Sequence, residues 1–222
     1  MTTYSRENPS PRYRELLGYY QTMHEQGDAE TGLAPQDTFN GKTLNSHVED
    51  LHAIISILGS KTLLDYGAGK GILYQAKSIE LPGGRKFNGI GDFWGVERIT
   101  CYDPAYTPFS TLPDGKFDGV ISTDALEHCP IDDVPWILDE IFDYAEEFVF
   151  LNIACYEAKK VLPNGENAHC TVMEPNWWLE RIEQRVKARP GLRYFVTFGI
   201  KQTDAAGNVI AVPAKYRGKW NS

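Results

Sequence analysis

Hydrophobic residues recur along this chain with two different periods, and blocks of the two kinds alternate. Residues 12–26 look helical and are rich in aromatic side chains, and residues 47–58 present one apolar face at helical spacing. Gly59 follows the second helix and is typical of a helix end. Ser46 and Glu49 have the spacing of a capping box, whose side chains satisfy free N–H groups at a helix start. We therefore expect the second helix to begin directly after Ser46.

The remainder of the chain alternates β-prone runs with further helical patterns. The predicted strands are residues 62–65, 98–102, 117–122, 147–153, 192–200 and 209–212. The predicted helices between them are residues 72–79, 131–142 and 175–186. Such alternation favours a parallel sheet covered by helices. We predict an α/β fold with a doubly wound, mostly parallel sheet, helices on both faces and a C-terminal antiparallel hairpin.

Two irregular segments interrupt the alternation. Residues 27–43 are rich in turn-forming residues and are predicted to be a loop. Residues 81–96 are rich in glycine and are interpreted as a long surface insertion that delays the second strand. A chain of 222 residues fits one domain. Within it, we distinguish an N-terminal helix and lid-like segment at 1–45 from the main α/β domain at 46–222.

Composition narrows the class of protein. Apolar residues make up 42% of the chain, without an apolar run of the roughly 18 residues that a bilayer requires, so we expect no membrane span. Residues 1–11 carry no secretory signal, which favours the cytoplasm. The cysteines form no CxxC pairs, which favours a reduced compartment and predicts no metal site. They are Cys101, Cys129, Cys155 and Cys170.

The charge of the chain bears on its partners. A net charge of −8 repels phosphate backbones and argues against a nucleic-acid substrate. Lys159 and Lys160 supply some positive charge, whereas the arginines of residues 181–193 are interleaved with Glu180 and Glu183, as on a solvated helix face. We expect a small-molecule partner, and the sequence does not indicate an oligomeric state.

A glycine-rich turn, Asp65 to Gly71, follows the first predicted strand. In an open α/β sheet, ligands bind beyond the carboxyl ends of the strands, where such a turn lets backbone approach them closely. Gly67, Gly69 and Gly71 have suitable spacing. Dehydrogenases and plain tight turns use similar glycines, so this turn alone leaves the ligand open.

An acidic residue, Asp103, follows the second predicted strand and precedes Pro104. A carboxylate at this place can accept hydrogen bonds from both hydroxyls of a ribose. Asp103 can equally be a turn residue before proline. This position is therefore compatible with several adenosine-containing cofactors.

The segment Phe117 to Pro130 carries the most specific signal and reads FDGVISTDALEHCP. It resembles the motif FDxVxxxxxLEHxP at the fourth strand of class I S-adenosylmethionine-dependent methyltransferases. The glycine turn, the acidic strand end and this motif follow one another in the order of that family over residues 62–145. The resemblance implies that residues 46–222 form a methyltransferase domain and that S-adenosylmethionine is the cofactor.

The resemblance also implies roles for individual residues. Gly67, Ala68 and Gly69 would pass the amino-acid half of the cofactor. Asp65 would support their turn, and Asp103 would hold the ribose. The implied cofactor contacts, of which the last four line the methionine side, are Asp65, Gly67, Ala68, Gly69, Gly71, Asp103, Pro104, Thr123, Asp124, Ala125 and Leu126.

The chain departs from the family pattern in two places. One is the insertion at 81–96, and the other is the short connection of residues 104–116 before the motif. The usual third strand is therefore expected to be shortened or displaced. Because its acidic contact is lost with it, the adenine contacts stay unassigned.

Candidate catalytic residues follow from the chemistry of methyl transfer. Because the protein mainly has to hold the methyl donor in line with a nucleophile, a general base is optional. For a hydroxyl acceptor, a histidine is the expected proton acceptor, and His128 and His169 are the candidates. In the family, the first often orients local structure. His169 precedes Trp177 and Trp178 after the fifth predicted strand, where acceptors usually bind, although a loop histidine beside core tryptophans is the alternative.

The segment before the first strand offers candidates for a lid over an acceptor pocket. An equally open alternative is that its aromatic side chains cap the core. The residues concerned are Tyr19, Tyr20, Met23, His24, Phe39 and His47.

Together, these patterns predict a methyltransferase that acts on oxygen or nitrogen of a small-molecule or saccharide-like acceptor. One alternative is an enzyme of the same fold that uses S-adenosylmethionine for a non-methyl transfer or for cleavage. Another is a catalytically silent cofactor-binding protein. The intact turn glycines, Asp65 and Asp103 argue against the silent protein.

Overall fold

Six strands form one sheet in the computed structural model, which describes residues 3–28, 31–81, 84–203 and 209–217. The helices are α1 (Pro11–Gln26), α2 (Val48–Leu58), α3 (Ile72–Gln75), α4 (Ile90–Trp94), α5 (Val134–Tyr144) and α6 (Pro175–Lys187). The strands are β1 (Thr62–Tyr66), β2 (Ile79–Leu81), β3 (Arg85–Phe87), β4 (Arg98–Tyr102), β5 (Phe117–Thr123), β6 (Ala145–Ala154), β7 (Arg193–Thr203) and β8 (Val209–Arg217). Short 3-10 helices cover Pro35–Asp37, Lys42–His47, Thr107–Phe109 and Leu126–His128.

The main sheet has the order β4-β1-β5-β6-β7-β8, and its neighbouring strands are parallel except for β7 and β8. β1 lies between β4 and β5, so that Leu64 is opposite both Thr100 and Val120. The carboxyl ends of β1, β4 and β5 therefore meet at one end of the sheet. The predicted fold class, including the antiparallel hairpin, is confirmed. The hairpin connection, residues 204–208, lies outside the described residues.

Helices cover both faces of the sheet. On one face, α5 and α6 pack onto the strands, with Trp178 and Ile182 fully buried. On the other face, α2 and α4 bury Leu51, Ile55 and Trp94. Each side chain of this size contributes about 1.5–3 kcal/mol when it leaves water. The apolar helix faces predicted for residues 47–58 and 175–186 are thus the faces that pack onto the two sides of the sheet.

Two local predictions about helices were wrong. Ser46 lies inside the 3-10 helix Lys42–His47, and α2 begins at Val48 without a side-chain cap, so the capping box does not form. The helix predicted for residues 72–79 ends at Gln75, and Ile79 begins β2. The β2–β3 hairpin packs Ile79 against the core beneath α2 and α4, and this tertiary contact outweighs local helix propensity.

The segment 81–96 is more than a surface insertion, so that interpretation also needs correction. It contains β3 and α4, and Ile90, Phe93 and Trp94 are buried in the core. The indole N–H of Trp94 donates to the backbone oxygen of Val48 at 3.0 Å. α4 is therefore part of the second helical layer. Residues 82–83 lie outside the described residues.

The N-terminal segment is fastened across the carboxyl ends of the central strands. The Arg6 guanidinium donates to the hydroxyls of Tyr66 at 2.8 Å and Tyr102 at 2.9 Å, and it pairs with the Glu140 carboxylate. Ser10 caps α1 by accepting the backbone N–H of Tyr13 at 2.9 Å. These contacts place α1 above the end of the sheet where β1, β4 and β5 finish.

Within the part of the chain that the structure describes, each helix is too short or too polar to cross a bilayer.

Candidate functional site

A cavity of about 190 Å³ opens at the carboxyl ends of β1, β4 and β5. Its floor comes from the glycine turn after β1, from Asp103 and from the end of β5. Its roof comes from one face of α1 and from residues 39–43. Lys160, from the connection between β6 and α6, closes one side. The cavity therefore lies where the topology of an open α/β sheet places ligand sites.

The glycine turn is built by left-handed backbone and by its fit to β4 and β5. Gly67 has φ 83°, and a Cβ atom there would come within 2.5 Å of the Ala125 side chain. The N–H groups of Gly67 and Ala68 both donate to the backbone carbonyl oxygen of Tyr102, at 2.8 and 3.0 Å. Only glycine has both the conformational freedom and the size for this position.

Asp103 joins the end of β4 to this turn. Its carboxylate is buried and accepts the N–H of Gly69 at 2.8 Å through Oδ2 and that of Ala105 at 2.9 Å through Oδ1. Burial raises the pKa of Asp103, and the backbone N–H groups oppose that shift. Since each carboxylate oxygen has a second lone pair, Asp103 retains acceptor capacity toward the cavity.

Residues 38–43 lie directly over the turn. The backbone carbonyl oxygen of Phe39 accepts the backbone N–H of Lys70 at 2.7 Å, and the backbone carbonyl oxygen of Asn40 accepts the N–H of Ile72 at 3.3 Å. A Cβ atom on Gly69 would come within 2.1 Å of the Phe39 oxygen. Phe39 itself has φ 44°, a strained value for a bulky residue. The N-terminal segment and the glycine turn therefore form one closely packed unit.

A buried lysine and histidine stand beside Asp103. The Lys70 ammonium donates to His24 Nδ1 at 2.9 Å and to the backbone carbonyl oxygen of Thr38 at 3.0 Å. Burial lowers the pKa of His24 to about 3, and the Lys70 charge adds to that effect. Because an ammonium can only donate, the neutral His24 ring carries its proton on Nε2, which lies 4.0 Å from Asp103 Oδ1. His24 and Asp103 are therefore not an ion pair.

The end of β5 supplies polar groups to the same cavity. The Ser122 hydroxyl is buried and has no hydrogen-bond partner among the residues that the structure describes. Asp124 is exposed, has φ 56° and accepts the Thr43 hydroxyl at 3.2 Å. A non-glycine residue held in the left-handed region is a common feature of functional sites.

Glu127 of the LEH motif fastens this turn to β6. Its side chain is fully buried, and Oε1 accepts the N–H of Ala154 at 2.7 Å. Within the described part of the chain, the other oxygen, Oε2, has no hydrogen-bond partner. Burial raises the pKa of Glu127 well above its ordinary value, and the neighbouring Asp124 carboxylate raises it further. Glu127 is thus mainly a positioning group with one spare oxygen.

The two candidate catalytic histidines lie side by side, with ring centroids 4.8 Å apart. His128 Nδ1 lies 2.8 Å from the backbone carbonyl oxygen of Ala168, and His169 Nδ1 lies 2.6 Å from the backbone carbonyl oxygen of Tyr156. Because a carbonyl oxygen can only accept, both rings carry their proton on Nδ1, and the Nε2 lone pairs are free. Burial lowers the pKa of both rings, so they are neutral at pH 7.

Most of the predicted cofactor contacts line the cavity. Those that do are Gly67, Gly69, Asp103, Pro104, Thr123, Asp124, Ala125 and Leu126. Three predicted contacts lie behind the turn instead, namely Asp65, Ala68 and Gly71. The Asp65 carboxylate accepts the Tyr74 hydroxyl at 2.8 Å, and burial raises its pKa to about 7. The Asp65 side chain therefore contacts α3.

The candidate catalytic and lid residues divide in the same way. His128 lines the cavity, whereas His169 lies behind it in contact with the His128 ring. Of the six lid candidates, Tyr20, His24 and Phe39 line the cavity. The remaining three lie elsewhere: Tyr19 and Met23 pack in a small cluster under the 158–170 loop, and His47 contacts Phe150. Whether the lining residues act as a lid stays a prediction.

The sequence analysis missed several residues of the cavity wall. Tyr13, Leu16 and Leu17 line it from α1, and their spacing with Tyr20 is that of one helix face. That periodicity is the signal that could have identified them. Lys160, whose ammonium lies 4.5 Å from the Phe39 ring centroid, left no comparable signal in the sequence.

Comparison with known proteins adds no relative to this description. No protein-family model matches the chain, and no curated protein and no solved structure matches it.

Proposed function

We propose that the chain is a class I S-adenosylmethionine-dependent methyltransferase whose cofactor binds in the cavity above β1, β4 and β5. The observation that carries this proposal is the meeting of three separate sequence signals in one cavity. Gly67 and Gly69, Asp103, and the segment 123–126 are far apart in the chain, yet all of them line it. A dehydrogenase would need the first two but has no use for the third.

The polar groups of the cavity fit the proposed cofactor. Asp103 has spare lone pairs for ribose hydroxyls, and the buried Ser122 hydroxyl lacks a partner. The N–H groups of Gly67, Ala68 and Gly69 already donate to Tyr102 and Asp103. These three N–H groups are therefore not available to a ligand, and hydrogen bonds from the turn to the ammonium group of the cofactor would have to use carbonyl oxygens.

The chemistry that bound S-adenosylmethionine supplies is an electrophilic methyl group on a sulfonium. Asp103 and the glycine turn would hold the cofactor, and α1 with residues 39–43 partly covers this end of the cavity. Orientation of the acceptor against the methyl carbon supplies most of the rate. For a hydroxyl acceptor, His128 is placed to accept the proton at Nε2, with His169 directly behind it.

The acceptor is proposed to be a small or saccharide-like molecule methylated at oxygen or nitrogen, in the cytoplasm. The cavity is partly enclosed, and Asp103 and Asp124 place carboxylates on its wall. Arg185 of α6 pairs with Asp139, and Arg189, which follows α6, pairs with Asp143, so these two arginines do not offer free positive charge to a phosphate backbone. Both features argue against a nucleic-acid substrate.

Calorimetry tests the cofactor assignment. S-Adenosylmethionine and S-adenosylhomocysteine should bind with dissociation constants in the micromolar range and raise the melting temperature by mass action. NAD should do neither. Binding of NAD without a response to either sulfur nucleoside would overturn the proposal.

A product assay separates the proposal from its alternatives. With cofactor labelled on the methyl carbon, a methyltransferase transfers the label to an acceptor and releases S-adenosylhomocysteine. Non-methyl transfer or cleavage leaves the label on a thioether fragment. A silent binding protein returns the cofactor intact with every acceptor in a screen of hydroxylated and amino compounds.

A further inference from the structure

We propose that Asp124, His128 and His169 bind a divalent transition-metal ion at the acceptor side of the cavity. These residues come from the end of β5, from the 3-10 helix after it and from the connection between β6 and α6. One ligand atom of each lies within 4.8 Å of those of the other two.

The distances are close to those of a formed metal site. Ligands at about 2.1 Å from one ion stand roughly 3.0–3.4 Å from each other in octahedral or tetrahedral geometry. The widest of these separations therefore needs to close by about 1.4–1.8 Å, to which side-chain rotation of the exposed Asp124 can contribute.

The hydrogen bonds of both histidines prepare them as ligands. Nδ1–H of His128 donates to the Ala168 oxygen, and Nδ1–H of His169 donates to the Tyr156 oxygen. Each ring is thereby fixed in the tautomer whose Nε2 lone pair is free. Metal-binding histidines in proteins are almost always oriented by such a bond from the other nitrogen.

Two further observations point to a cation near Asp124. The backbone of Asp124 is held in the left-handed region, at φ 56°. Beside it lies the fully buried Glu127, whose Oε2 has no hydrogen-bond partner among the described residues. The lone pairs of this oxygen add negative potential where the ion would bind. Lys160 acts in the opposite sense, because its positive charge on the cavity wall repels a bound cation.

The donor set indicates which ions fit. Two imidazoles and one carboxylate favour first-row ions such as Fe²⁺, Co²⁺ or Zn²⁺ over Mg²⁺ and Ca²⁺, which prefer oxygen. Three protein ligands leave positions open for a substrate oxygen. The prediction of no metal site in the sequence analysis rested on the cysteines, which take no part in this set.

The metal site also specifies the acceptor class, and this step rests on the proposed function. A hydroxyl bound to the ion loses its proton to water more readily, because the ion stabilises the alkoxide. That oxygen then forms the bond to the methyl carbon, and the electrons of the broken carbon–sulfur bond stay on sulfur. An acceptor with two adjacent oxygen atoms would chelate the ion and gain orientation. His128 and His169 would then be ligands rather than bases.

Titration of Co²⁺ into untagged, metal-stripped protein tests the site without cofactor or acceptor. We expect one Co²⁺ per chain by calorimetry, with visible d–d absorption and no thiolate charge-transfer band. His169→Gln and Asp124→Asn should each weaken binding by about 100-fold or more, since even loss of a supporting group costs 10–100-fold. Lys160→Met should tighten it by roughly threefold or more. His52→Gln, on the opposite helical layer, is the matched control and should bind as the parent does.

Three results would each overturn the metal site: no saturable Co²⁺ binding, a thiolate charge-transfer band, or Co²⁺ affinity in the Asp124 and His169 variants equal to that of the parent. Asparagine tolerates the left-handed backbone, so Asp124→Asn decides the question if His169→Gln fails to fold. Parallel titration with S-adenosylhomocysteine separates the two proposals. Co²⁺ binding without nucleoside binding overturns the methyltransferase, and the reverse result overturns the metal site.

Discussion

The two halves of the cavity are built by different means. At the proposed cofactor half, around the glycine turn and Asp103, the contacts are made mostly by backbone: three consecutive N–H groups of the turn donate to Tyr102 and Asp103, at the end of the neighbouring strand. At the proposed acceptor half, the side chains of Asp124, His128 and His169 come together from distant segments of the chain. The first half is a local consequence of the sheet, whereas the second depends on the chain between β6 and α6.

Because the two halves are built from different segments, a substitution in the proposed acceptor half should lower activity without weakening cofactor binding. His169→Ala should lower turnover by about 10²–10⁴-fold if His169 transfers a proton or holds the ion, while S-adenosylhomocysteine affinity stays nearly unchanged. Steady-state kinetics and calorimetry on the same preparation measure both. A loss confined to the acceptor's KM would indicate uniform binding instead, and a parallel loss of nucleoside affinity would contradict the division.

Asp65 tests the buried side of the turn through pH. Its pKa is raised to about 7, above the ordinary 3.8, so between these values the native state binds a proton that the unfolded state lacks. Stability should therefore fall as pH rises from about 4 to 7, by up to about 4 kcal/mol, and then level off. Urea unfolding over this range should show a drop that is smaller in Asp65→Asn than in the parent by this amount, since Glu127 and Asp103, whose pKa values burial also raises, keep their own contributions. Equal slopes would contradict the burial of this carboxyl.

Glycine substitutions test whether the cofactor half depends on backbone. Gly67→Ala would place Cβ 2.5 Å from the Ala125 side chain in left-handed backbone, and we expect a loss of about 2–4 kcal/mol in unfolding free energy together with lost nucleoside binding. Gly115→Ala is the matched control: its φ is 80°, but its Cβ would meet open space. It should lose only about 1–2 kcal/mol and keep binding. Similar losses at both positions would show that steric fit at the turn is unimportant.

Asp103 tests the side-chain contribution to the same half. Asp103→Ala should weaken S-adenosylhomocysteine binding by about 1.5–3 kcal/mol, as expected for hydrogen bonds to a charged group, and the fold should persist. The exposed Asp132→Ala removes the same charge elsewhere and should have no effect. If the Asp103 variant binds as the parent does, the ribose lies elsewhere in the cavity.

The contrast also explains what could be predicted from the sequence. The six strands of the main sheet, the glycine turn and the position of Asp103 were predictable because each depends on a few neighbouring residues whose spacing is visible, whereas β2 and β3 were not predicted. The helix predicted for 72–79 failed because Ile79 has a better place in the core as a strand residue, beneath α2. Ser46 failed as a cap because the chain approaches α2 through a 3-10 helix. Both errors arise from packing that local patterns do not contain.

The acceptor half was harder to predict for the same reason. His128 and His169 were recognised as candidates, but their contact joins residues that are 41 positions apart and depends on carbonyls of Ala168 and Tyr156. Lys160 reaches the cavity only because its connection folds back over Phe39. Such contacts follow from loop geometry, which leaves no period in the sequence.

A crystal structure of the complex with S-adenosylhomocysteine tests the central claim most directly. The account predicts that the ribose hydroxyls lie within hydrogen-bond distance of the Asp103 carboxylate. The sulfur should lie nearer to Asp124 and His128 than the adenine does. A nucleoside bound outside this cavity, or bound within it with its sulfur directed away from Asp124 and His128, would contradict the account.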